Sequence, residues 1–145
     1  IEGRLKDGER LNCYWCSTQR RTELIKFAKE NGFNKIALGH HLDDILETLL
    51  MNMLYKGEFS GMPPFVPYEK YPVSVIRPLC YCEETEITEF VQEMGLECPS
   101  CKCIAAGNSN RRLIREQIEA LTMGKSTLKR NLFESMRHIR MDYLL

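Results

Sequence analysis

Lys35-Ile36-Ala37-Leu38-Gly39-His40-His41-Leu42-Asp43-Asp44-Ile45-Leu46-Glu47-Thr48-Leu49-Leu50 sets two hydrophobic periods back to back. Residues 35–39 form a short apolar run, the pattern of a buried strand. From there Leu42, Ile45, Leu46, Leu49, Leu50 and Met53 recur at i, i+3, i+4 and i+7, which predicts a helix with one apolar face ending before Gly57. A strand that hands directly to such a helix is half of a βαβ unit.

Upstream, the pattern predicts a helix from about Ser17 to Asn31, capped by Ser17 or Thr18, striped by Leu24, Phe27 and Ala28 and ended by Gly32. Downstream, residues 57–72 hold Gly61, Pro63, Pro64, Pro67 and Pro72 and read as a long ordered loop. Residues 73–76 read as a second strand closed by Arg77-Pro78. Ile87, Phe90, Val91 and Met94 mark another helix, stopped by Gly95. This alternation predicts an α/β fold: a partial parallel sheet flanked by helices, with further strands expected upstream because two cannot make such a sheet alone. Two late helices follow, one on Leu113, Ile114, Ile118 and Leu121, the other on Leu128, Leu132, Met136 and Ile139, separated by Gly124. The expected organisation is a linker at 1–12, whose Ile1-Glu2-Gly3-Arg4 matches an engineered protease site, an α/β part at 13–107 and a helical part at 108–145.

The composition, 28% charged and 43% hydrophobic over 145 residues, is that of one soluble globular domain. No apolar run approaches the ~20 residues of a membrane helix, and no export signal opens the chain. A cytoplasmic protein without a membrane partner is the expectation. Net charge is zero but uneven: residues 1–110 carry 12 Lys/Arg and 16 Asp/Glu, residues 111–140 carry 8 and 3. The basic end suits a polyanion, or is a solvated helix face.

In a parallel sheet, ligands bind beyond the carboxyl ends of the strands, where a helix N-terminus also offers free N–H groups. His40, His41, Asp43 and Asp44 sit at such a turn, and two carboxylates there can hold Mg²⁺ and a nucleotide. Two other readings stay open. Asp43 and Glu47 can be a wet face that favours the helix dipole, or the His-His-x-Asp-Asp string can bind zinc.

Seven cysteines, spaced in close pairs, argue for metal or redox chemistry rather than a disulfide framework. Cys13-Tyr14-Trp15-Cys16 and Cys98-Pro99-Ser100-Cys101-Lys102-Cys103 are separated by 81 residues. A three-cysteine [4Fe–4S] cluster with an open iron, a structural Zn²⁺ and a redox pair compete on these residues, beside plain buried thiols. Tyr14 and Trp15 are packed core aromatics or stacking platforms for a base.

The string from Ile36 to Thr48 resembles the second signature of the PP-loop, or N-type ATP pyrophosphatase, superfamily. Its Ser-Gly-Gly-x-Asp-Ser loop is not found in these 145 residues, which suggests a C-terminal part of a longer protein. Cys13-x-x-Cys16 with Arg20-Arg21, Gly61-Met62-Pro63-Pro64, Val75-Ile76-Arg77-Pro78-Leu79 and the late cysteines with Arg111-Arg112 are similar, in series, to the tRNA 2-thiocytidine synthetase family. The resemblance implies an adenine nucleotide alpha-hydrolase-like, Rossmann-type fold. It implies an ATP-dependent tRNA sulfurtransferase that inserts sulfur at C2 of cytidine 32 through an adenylated intermediate. Asp43 and Asp44 would organise Mg²⁺ and ATP, with His40, His41 and Arg77 lining the nucleotide site. Cys13, Cys16 and one of Cys98 and Cys101 would hold a [4Fe–4S] cluster, while Cys103 fits the count back from Arg111. Arg20, Arg21, Arg111, Arg112 and Arg115, with Lys125, Lys129 and Arg130, are assigned to tRNA. A cysteine desulfurase or sulfide would supply sulfur, and the late helices leave room for a homodimer. Cys80 and Cys82 receive no role and are expected to be packed. A thiouridine-forming relative and a zinc-stabilised RNA-binding module remain the alternatives.

Overall fold

The computed structural model describes residues 13–96 and 110–144. In chain order these form α1 (Cys13–Glu30), β1 (Lys35–Ala37), α2 (Leu42–Lys56), β2 (Phe65–Pro67), β3 (Ser74–Ile76), α3 (Glu84–Glu93), α4 (Asn110–Thr122), α5 (Ser126–Ser135) and a 3-10 turn at Met141–Tyr143. The expected linker at 1–12 and the group Cys98, Cys101 and Cys103 lie outside the described residues. The sequence pattern places one boundary between structured parts, at 107/108. The structure forms two compact units that interleave along the chain.

The first unit holds α1 and the three strands. β1 and β3 pair in parallel, Lys35 opposite Ser74 and Ala37 opposite Ile76. The Leu38 N–H continues the ladder to the Ile76 carbonyl at 2.9 Å. The carboxyl ends of both strands therefore lie side by side, and Leu38-Gly39 and Arg77 leave from the same end of the sheet. β2 corrects the loop expected at 57–72: it pairs antiparallel with β3, Phe65 opposite Ile76, giving a mixed sheet of order β1-β3-β2. Pro67 concealed it, since a proline argues against a strand except at a sheet edge, which is where β2 lies. α1 starts one turn earlier than its expected Ser cap and packs on β1. Its buried residues are Ile25 and Ala28, whereas Leu24 and Phe27 are exposed, Phe27 stacking on Phe33 at 6.3 Å.

The second unit is built on α2. Leu42, Ile45 and Leu46 form a buried cluster with Cys80, Ile114, Ile118 and Phe133, and Leu50, Met62, Leu132 and Met136 pack against it. Met53 lies outside. α2 stops where Gly57 adopts φ +67°, a left-handed conformation that satisfies the last carbonyls. Gly61 passes close to the cluster: a methyl group there would sit 3.3 Å from Met136 Sδ and 3.4 Å from Ile45 Cγ2. Cys80 is buried in the apolar cluster on α2 and Cys82 is half-buried. In α4 the buried face is Ile114, Ile118 and Thr122, and Leu113 and Leu121 point outward. α5 ends at Ser135, before the exposed Ile139, and buries Lys129 and Phe133.

Leu46 is 0% exposed at the centre of the cluster. Leu46→Ala should cost about 2–5 kcal/mol, a truncation term plus an unfilled cavity, measured as a lower urea midpoint with little change in slope.

Candidate functional site

The acidic turn is constructed by the start of α2 and closed by cations from α4 and α5, all within the second unit. Asp44, at the third position of the helix, accepts the His41 backbone N–H at 3.2 Å, so part of its charge caps the helix. Asp43 accepts the Glu84 N–H at 2.7 Å, tying the start of α2 to the start of α3. The Leu42 N–H donates to the Cys82 carbonyl at 2.9 Å and holds the same two segments together.

Each carboxylate then meets a cation. Lys129 Nζ stands 3.3 Å from Asp43 Oδ1 and 2.5 Å from Glu119 Oε1. Arg111 Nη1 donates to Asp44 Oδ1 at 3.3 Å and lies 3.8 Å from Glu47 Oε2. Arg115 Nε donates to Glu47 Oε1 at 2.7 Å, and its Nη1 lies 3.3 Å from Glu84 Oε2. The Glu47 side chain is 2% exposed. The wet-face reading is thereby corrected: Asp43 and Glu47 lie against α4 and α5, not in water. Beside them, Glu83 accepts from Ser126 Oγ at 2.5 Å and Arg130 Nε at 2.9 Å.

Electrostatics follow from this packing. Burial pushes the Asp43 carboxyl up, but the neighbouring His41 ring, the Glu84 N–H hydrogen bond and the Lys129 ammonium outweigh it and hold Asp43 far below the ordinary carboxylate range. His41 Nδ1 faces Asp43 at 3.7 Å, an electrostatic contact too long for a hydrogen bond. Asp43, against the opposing effect of burial and with help from Asp44 and Glu84, raises the His41 imidazole above 6.5. Burial lowers Lys129 and Arg115, and their carboxylate partners, Glu119 with Asp43 and Glu47 with Glu84, more than restore them. Five carboxylates (Asp43, Asp44, Glu47, Glu84, Glu119) meet three permanent cations (Arg111, Arg115, Lys129), so the site keeps residual negative charge. An open cleft of about 360 Å³ borders it, lined by Asp43, Glu84, Thr88, Arg115, Glu119 and Lys129 among others.

The sequence-expected residues are thus partly assembled. His41, Asp43 and Asp44 meet Arg111 and Arg115, and His40 is half-buried just before them. Arg111 and Arg115, expected on tRNA, spend their charge on Asp44, Glu47 and Glu84. Lys129, also expected there, is buried. Arg112 is exposed beside Glu116 at 3.7 Å, and Arg20 and Arg21 are exposed on α1. Arg77 donates through Nη1 to the Pro63 carbonyl. Cys13 and Cys16 lie in the first turn of α1, where Cys16 is a half-buried free thiol. Cys98 and Cys101 lie outside the described residues.

Sequence reasoning misses Glu47, Glu84 and Lys129 as members of the site. Glu47 was legible by spacing, one turn past Asp43 and Asp44. Lys129 was legible as a cation inside the apolar stripe of Leu128, Leu132 and Phe133. Glu84 comes from 40 residues away and left no local signal.

Among the described residues no three His, Cys, Asp or Glu side chains form a ready metal cage. The turn fits Mg²⁺ in another way, since that ion is held by one or two carboxylates plus substrate phosphates, and residual negative charge is present. Cys16 is a thiol able to ligate a [4Fe–4S] cluster.

Asp43 is held below its ordinary 3.8 in the folded state, so it contributes stability above that pH and loses it as pH falls through the folded value. The denaturation midpoint should hold above about pH 5 and drop from there toward about pH 2, and Asp43→Asn should flatten the drop. Arg115→Met leaves the buried Glu47 short of its main partner and should cost about 1–3 kcal/mol; the double change Glu47→Leu/Arg115→Met should recover most of that.

Residues 17–121 match the family model of the PP-loop domain. The tRNA-cytidine(32) 2-sulfurtransferase of Legionella pneumophila (strain Corby) is 36% identical over 134 residues, covering 92% of this chain and 47% of that protein. The protein of the same name from Alcanivorax borkumensis is 39% identical over 140 residues, covering 96% and 49%. This chain thus spans about half the length of the relatives it matches. The solved U34-tRNA thiolase NcsA from Methanococcus maripaludis, with its [4Fe-4S] cluster, aligns with a TM-score of 0.74 over 97% of this chain and 48% of its own, at 19% identity, a likeness of fold. With 105 residues matched, from α1 through the acidic turn to the end of α4, the chain belongs to the PP-loop domain family.

Proposed function

We propose that this chain is the portion of an ATP-dependent tRNA sulfurtransferase that carries the acidic turn, acting in the cytoplasm on C2 of cytidine 32. The observation that carries the reading is similarity along almost the whole chain to proteins named for that reaction. The geometry supports it with a negatively charged helix start that follows a parallel strand.

The carbonyl oxygen at C2 of cytosine is a poor leaving group. Attack of that oxygen on the α-phosphorus of ATP forms the O–AMP bond and releases pyrophosphate. A sulfur nucleophile then adds at C2, and the oxygen departs with AMP. The acidic turn that Asp43 and Asp44 build organises the Mg²⁺–nucleotide, with His40 and His41 at its start. A [4Fe–4S] cluster, when bound to Cys13, Cys16 and one of Cys98 and Cys101, would offer an open iron to sulfur. Sulfur comes from a cysteine desulfurase or sulfide. The target base must leave its stack to be reached. Arg20, Arg21 and Arg112 meet the tRNA backbone, and Arg111 and Arg115 do so only by giving up their carboxylate partners.

Nucleoside mass spectrometry tests the reading. Cells lacking the full-length protein should lose 2-thiocytidine, and the wild-type gene should restore it; unchanged 2-thiocytidine rejects the assignment. Arg20→Ala/Arg21→Ala/Arg112→Ala should weaken tRNA binding and reduce the slope of log affinity against log salt by roughly 2–3, about one for each phosphate no longer neutralised.

A further inference from the structure

The three carboxylates of the acidic turn are not held alike. Asp43 has both oxygens engaged by groups that cannot leave cheaply: a backbone N–H at 2.7 Å and Lys129, whose side chain is 10% exposed. Withdrawing Asp43 would strand an N–H and deprive a largely buried ammonium of a partner, although Asp43 borders the cleft. Glu47 is the most buried of the three and is bound to Arg115 at 2.7 Å. Asp44 differs. One of its oxygens, Oδ2, caps the helix through the His41 N–H at 3.2 Å and faces the His41 ring at 3.4 Å, but the other, Oδ1, meets only Arg111, which is 46% exposed and touches it at 3.3 Å through a single terminal nitrogen. A half-exposed guanidinium can swing into water at little cost, since exposed ion pairs contribute little net stability.

We propose that the turn divides its work: Asp43 and Glu47 seat the C-terminal helices, with Lys129 and Arg115 as positioning residues, while Asp44 exchanges Arg111 for the magnesium–nucleotide. This rests on the reading of the turn as a nucleotide site. The exchange puts two positive charges where the guanidinium placed one, at a turn that keeps residual negative charge. The divalent ion replaces a guanidinium at Asp44, and the displaced Arg111 is left free to face the phosphates that arrive with the ion. Asp43 then acts on the nucleotide only through the placement of α2 against α3 and α5.

The test uses the full-length protein, Mn²⁺ with a non-hydrolysable ATP analogue as probe, and thermal unfolding as a second readout. Asp44→Asn should weaken Mn²⁺–analogue binding at least about tenfold and move Tm by less than about 2 °C. Asp43→Asn should do the reverse, lowering Tm by about 5 °C or more with affinity within about threefold below the transition. Lys129→Met should match Asp43→Asn, and the double variant should lose no more Tm than the worse single one. If Asp43→Asn does not fold, Lys129→Met gives the same comparison and Lys129→Arg should keep the wild-type Tm. Equal loss of affinity in Asp43→Asn and Asp44→Asn, or a Tm loss in Asp44→Asn as large as that in Asp43→Asn, overturns the proposal. Unweakened binding in Asp44→Asn also overturns it, whether or not 2-thiocytidine is made, so it fails separately from the broader reading.

Discussion

A buried carboxylate is costly unless a cation or several donors meet it, and α2 begins with Asp43 and Asp44 and buries Glu47 one turn later. The second unit follows from that cost. α4 brings Arg111 and Arg115, α5 brings Lys129, and α3 brings a free N–H to Asp43. The same helices supply Ile114, Ile118 and Phe133 to the apolar cluster on α2. Hydrophobic and ionic faces are thus one docking event: rotating α4 to improve one would spoil the other.

That coupling bears on chemistry. A turn that is fully neutralised by its own fold could not attract a divalent ion, and one left unneutralised would set several like charges side by side out of water. Residual negative charge, with one carboxylate weakly held, lies between these extremes. Asp43, with Asp44 and Glu84, favours the charged form of the His41 imidazole beside them.

Periodicity identified α2, α3, α4 and α5 to within a few residues, yet it misjudged faces. Leu24, Phe27, Leu113 and Leu121 are apolar and exposed, while Glu47, Glu83 and Lys129 are polar and buried. Apolar spacing reports which side of a helix prefers cover. It does not report which neighbour arrives, and α3, with an apolar stripe but no buried residue, shows the difference. β2 escaped because three residues ending in Pro67 carry too little period-2 signal.

The order of strand and helix, the acidic start of α2 and the family resemblance were determined by the sequence alone, because they rest on local spacing and contiguous motifs. Which carboxylate is locked and which is weakly held was decided only by tertiary structure. Asp43 and Asp44 are neighbours with the same chemistry, and the cations that meet them lie 86 and 67 positions away along the chain.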